Sequence, residues 1–77
     1  MHLNPAQFVI RQFGGVIKTA RLLGLNKSSV SRWKKGTPSR PYGRIPTTAQ
    51  TEILNLARLM AVDITPEDLI KGREIRD

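Results

Sequence analysis

Between Gly15 and Lys35 the chain reads Gly-Val-Ile-Lys-Thr-Ala-Arg-Leu-Leu-Gly-Leu-Asn-Lys-Ser-Ser-Val-Ser-Arg-Trp-Lys-Lys, and the positions of Ala20, Gly24, Val30 and Trp33 leave few folds open. A small residue is needed where one short helix lies close to the next, and a glycine where the chain turns sharply between them. Val30 and Trp33, three residues apart, fall on one face of the second helix and hold it to the first. That spacing predicts a helix-turn-helix over about residues 16–35. Lys27, Ser28, Ser31, Arg32 and Lys35 are left on the other face. A cationic helix presented in this way suits the major groove of duplex DNA.

The charge distribution agrees. The net charge is +7, but residues 1–46 hold nine Lys or Arg and no Asp or Glu, whereas residues 47–77 hold four bases against six acids. An acid-free half meets no repulsion from a polyphosphate, and its bases gain by releasing condensed counterions. The bland alternative is a solvated basic surface that only aids solubility. At 77 residues without cysteine, the chain predicts one small domain with no disulfide or Cys-based zinc site to reinforce it. No apolar run approaches the ~20 residues of a membrane span, and none at the N-terminus suits a signal peptide. The expectation is a cytoplasmic protein with no cofactor, metal or small-molecule ligand.

Helix signals recur along the chain. Asn4-Pro5-Ala6-Gln7 forms a capping box with proline at the first helical position, flanked by Leu3 and Phe8 at staple spacing. Gly14-Gly15 ends that helix. A second runs from about Val16 to Leu23, burying Val16, Ala20 and Leu23, and stops at Gly24. Asn26 is the expected side-chain cap of the third, which ends at Gly36. Residues 36–46, with three prolines and two glycines, predict a loop. Thr47-Thr48-Ala49-Gln50 predicts another capping box, opening a helix that buries Ile53, Leu56, Ala57 and Met60. Thr65-Pro66-Glu67-Asp68 opens a short fifth helix with an Ile64/Leu69 staple. These C-terminal helices span about 47–71, residues 71–77 are expected to fray, and no strand is expected. The fold class is all-α, a compact bundle of about five short helices in a single domain over 1–77.

Each candidate site has a plainer reading beside it. Lys27, Ser28, Ser31 and Arg32 are the candidate base readers: Arg32 suits a guanine edge, Lys27 guanine acceptors, and the serines several bases or phosphate. The same face is otherwise only the wet side of an amphipathic helix. Gly15, Lys18, Lys34, Lys35, Arg40, Tyr42 and Arg44 are candidate phosphate contacts that position the protein and read no sequence. Tyr42 could equally cover the loop as a core aromatic. Trp33 falls on the Val30 face and is expected in the core. His2 stands alone at a terminus, the cluster of Asp63, Glu67 and Asp68 is accounted for by a helix cap, and no nucleophile has its base, so no catalysis is expected.

Phe13-Gly14, Lys18-Thr19-Ala20, Leu23-Gly24, Ser28, Val30 and Gly36, with Val30-Ser31-Arg32-Trp33-Lys34 and then Ile45-Pro46, resemble the Cro repressors of lambdoid phages and YdaS-type prophage regulators. The resemblance covers about the first 60% of the chain, up to Pro46. It implies a dimeric repressor of a palindromic double-stranded operator, with Lys27, Ser28, Ser31 and Arg32 facing bases. Two positions depart from it. Val16 stands where many such proteins place a phosphate-holding glutamine, and residues 47–77 read as helices where lambda-type Cro has dimer-forming strands. The dimer surface is then expected on the C-terminal helices, through Leu54, Leu59, Leu69 or Ile70. Alternative readings are an antitoxin or adaptor whose C-terminal half binds another protein, and a non-specific architectural DNA binder.

Overall fold

The computed structural model describes residues 1–35 and 43–76. Within them lie α1 (Pro5–Phe13), α2 (Val16–Leu23), α3 (Lys27–Lys35), α4 (Thr47–Leu59) and α5 (Asp68–Lys71). A two-residue strand, β1 (His2–Leu3), pairs antiparallel with β2 (Arg73–Glu74) in the register His2–Glu74 and Leu3–Arg73. The all-α bundle is as expected, and the Cα radius of gyration of 11.4 Å is close to the roughly 11.5 Å of a compact domain this long. The strand pair is a correction, since residues 71–77 were expected to fray and His2 to be loose.

Local chemistry explains most helix ends. The Asn4 side chain accepts from the Gln7 amide at 2.8 Å while the Gln7 side chain accepts from the Asn4 amide at 3.1 Å, the reciprocal box that the sequence predicts. Gly24 closes α2 at φ 69°, and the Leu25 amide donates back to the Ala20 carbonyl at 2.9 Å. At the start of α3 the Asn26 backbone carbonyl accepts from the Ser29 and Val30 amides at 3.0 and 3.3 Å, the position of a helix N-cap. The Thr47 box at α4 is a second correction. The Pro46 carbonyl already accepts from Ala49 and Gln50, so Thr47 is helical and is no longer the cap. The Gln50 side chain donates instead to the Ile45 carbonyl at 3.1 Å.

The core joins Phe8, Val9 and Phe13 of α1 to Ala20 and Leu23 of α2, Val30 and Trp33 of α3, Ile53 and Ala57 of α4, and Ile45, Ile64 and Leu69. Leu69 is only 3% exposed, so it is corrected from interface candidate to core. The residue three before it, Pro66, starts the turn that rolls Leu69 inward beside Ile64. Met60 is a further correction: it lies beyond the last turn of α4 and is exposed.

The C-terminal segment is held by Arg73. Its guanidinium donates to both oxygens of Asp68, at 3.0 and 2.6 Å, and to both oxygens of Asp63, and it lies 4.5 Å from the centre of the Phe8 ring. Asp68 is 5% exposed and also accepts from the Thr65 amide at 2.8 Å. Hydrogen bonds from Arg73, helped by its charge, hold the Asp63 carboxyl below the usual range. Burial pushes the Asp68 carboxyl up, but bonds from Arg73 and Thr65 outweigh it and the net direction is down. Bonds from Asp63 and Asp68 in turn raise the Arg73 guanidinium. The acid cluster is therefore filled by a cation of the same chain, and no group of His, Cys, Asp or Glu among the described residues is arranged for a metal ion.

Two outcomes are expected. Arg73→Gln leaves the buried Asp68 carboxylate short of donors and should cost about 1–3 kcal/mol in urea unfolding at neutral pH. Both carboxyls are held below their ordinary 3.8, so their contribution is complete above about pH 5 and is lost as pH falls through the acid range. The variant should show a flatter acid-denaturation curve. Ala61 sits at φ 55° after α4, where the Val62 amide donates to the Ala57 carbonyl at 2.8 Å. Ala61→Gly should add about 0.5–1 kcal/mol by relieving the Cβ in that left-handed turn, read as a rise of a few degrees in Tm.

Candidate nucleic-acid interface

Helix α3 is placed by two buried side chains. Val30 is fully buried and Trp33 is 8% exposed, and α3 packs against α2 across the Gly24 turn. Ala20 lies in the same core. At about 100° per residue, Ser31, Lys35, Ser28 and Arg32 follow one another around the side opposite Val30 and Trp33. Lys27, Ser28, Arg32 and Lys35 are exposed and Ser31 is half-buried. Three of the four candidate base readers, Ser28, Ser31 and Arg32, thus share one face, with Lys35, expected to contact phosphate, at its centre, whereas Lys27 falls on the flank beside Lys34. Lys34 falls on the flank next to Val30 and is half-buried.

No acid among the described residues forms an ion pair with this face. Asp63 and Asp68 are paired with Arg73, Glu67 faces Lys71 at 4.0 Å, and Glu74 takes the Met1 ammonium at 3.2 Å. His2 is fixed by the same clasp, with Nε2 2.9 Å from the Lys71 carbonyl oxygen and Nδ1 3.6 Å from Glu74. Those four acids are paired where the chain closes on itself, while Glu52 of α4 is exposed and lines an open cavity with Ser29 and Trp33 of α3.

A second basic region lies at the start of α2. Gly15 precedes the helix at φ 123° with no side-chain cap, and an open concavity of about 480 Å³ is lined by Gly14, Gly15, Val16, Ile17, Lys18 and Arg21. The first-turn amides of a helix carry partial positive charge and lack intrahelical acceptors. Lys18 and Arg21 add full charges. Arg21 was not singled out from the sequence. Its spacing of three from Lys18 on one helix would have shown that the two share a face.

The remaining candidates separate. Arg44 is exposed, between buried Gly43 and Ile45. Arg40 and Tyr42 lie outside the described residues. Of the proposed dimer residues, Leu59 and Ile70 are 82% and 73% exposed, whereas Leu54 is half-buried against the core. Trp33 is part of the core and presents no stacking face. No helix among the described residues is long and apolar enough to cross a membrane. No family model, curated protein or solved structure matches this chain.

Proposed function

We propose that this protein is a sequence-specific double-stranded DNA-binding transcriptional regulator of the helix-turn-helix type. In this reading α2 and α3 form the motif and α3 enters the major groove. The observation that carries the reading is the two-sided character of α3: Val30 and Trp33 are buried while Ser28, Arg32 and Lys35 are presented together, with no acid of the described chain paired to them. From Ser28 to Lys35 a helix rises about 10 Å, which spans about three base-pair steps. Arg32 and Ser28 read base edges, Ser31 allows close approach, and Lys35 serves bases or phosphate according to depth. Lys18, Arg21 and the amides after Gly15 hold a phosphate beside α2, and Arg44 another.

Repression in a phage- or prophage-type circuit, in the cytoplasm of a bacterial cell, is the biological setting that the resemblance to Cro-like and YdaS-type regulators supports. A palindromic operator calls for a homodimer with reading helices roughly 34 Å apart. Leu59 and Ile70 are the most exposed large apolar side chains of the C-terminal half and are available for that contact.

Selection of duplexes from a random pool should return a site with two inverted halves. On that site Arg32→Ala should cost about 1–3 kcal/mol and relax the preference at one base pair, whereas Lys18→Ala should weaken all sequences alike and reduce the salt dependence. Equal loss on selected and random DNA for Arg32→Ala refutes base reading by that residue. Leu59→Asp or Ile70→Asp should shift sedimentation from dimer to monomer, and an unchanged mass removes that residue from the interface.

A further inference from the structure

We propose that Gly43 is a positioning residue for α3: it ties the end of that helix to the start of α1 through both of its backbone groups. Its amide donates to the Trp33 carbonyl at 3.0 Å, and its carbonyl accepts from the Ala6 amide at 3.0 Å. The last carbonyls and first amides of helices lack intrahelical partners, so one residue satisfies an orphan group on each of two helices. Only glycine meets the local demands. Gly43 is buried at φ 79°, and a Cβ there would fall within the Asn4 side chain. Asn4 cannot yield freely, because that side chain caps α1 on the Gln7 amide.

Among the described residues, the other anchors of α3 are its buried Val30 and Trp33 side chains and the turn before Lys27. Loss of the Gly43 bridge frees the C-terminal half of the helix, which carries Arg32 and Lys35. The effect on DNA reading rests on the function proposed above, while the placement of α3 stands apart from it. Gly72 supplies the control. A Cβ at Gly72 would strike the Leu3 carbonyl and the Asn4 backbone, a harder clash than that at Gly43, yet among the described residues Gly72 makes no backbone hydrogen bond to α3.

Trp33 is the single tryptophan of the chain, so its fluorescence reports the seat of α3 directly. The test compares Gly43→Ala with Gly72→Ala at low temperature, with far-UV circular dichroism establishing that each is folded. In folded Gly43→Ala, acrylamide quenching of Trp33 should rise about twofold or more, and the preference for selected over random duplex should fall about tenfold, equivalent to one lost base contact. Folded Gly72→Ala should change neither. Unchanged quenching in Gly43→Ala overturns the proposal. Increased quenching in a protein whose wild type shows no duplex preference upholds the positioning role and sinks the DNA-reading function. If Gly43→Ala does not fold, the substitution is made in an Asn4→Ala background, where the Cβ has room but φ 79° is still strained: Trp33 quenching above that of Asn4→Ala alone is expected, and equal quenching overturns the proposal.

Discussion

Two side chains hold α3 to the rest of the molecule, and the presentation of its basic face depends on them. Val30 and Trp33 are the buried residues of a nine-residue helix whose other members are Lys, Ser and Arg. Burying such a pair contributes about 2–3 kcal/mol for each side chain, which is small against the entropy of ordering the helix. A helix this polar therefore needs its ends fixed by backbone bonds as well. The Gly24 turn and the Asn26 carbonyl fix the start, and Gly43 fixes the finish. The same polarity that weakens the attachment leaves one side free to meet a charged partner.

At the C-terminus the problem is chain closure in a domain with a small core. Arg73 draws Asp63 and Asp68 together over the Phe8 ring, and β2 lies against β1 beside it. The arrangement suits a short chain without disulfides. It replaces a covalent staple with a half-buried guanidinium whose donors are matched by two carboxylates. It also confines the negative charge. Asp63, Asp68 and Glu74, which would oppose an anionic partner if spread over the surface, are paired within the C-terminal closure.

The two regions meet at Asn4. Its side chain caps α1 and abuts Gly43, while its backbone abuts Gly72 just before β2. Segments far apart in the chain approach Asn4, and glycine is required at both approaches because a Cβ would meet the Asn4 side chain at Gly43 and the Leu3 carbonyl and Asn4 backbone at Gly72. The capping box at Asn4-Gln7 was legible from local spacing. Its role as a junction was not, since nothing near position 4 in the chain announces contact with positions 43 and 72.

The same division runs through the whole molecule. Local order determined the five helices, the glycine that turns α2 into α3, the inward face of Val30 and Trp33, and the acid-free character of the first 46 residues, because helical periodicity and capping act over three or four neighbours. Tertiary structure decided what depends on distant partners. It buried Leu69 when Ile64 and α1 closed over it, turned the supposedly frayed end into a strand, and took up the acid cluster with Arg73. It also moved the cap of α4 from Thr47 to Pro46. Side-chain identity along one helix carries its own periodicity, but which distant group answers a buried charge or fills the space beside a glycine exists only once the chain has folded.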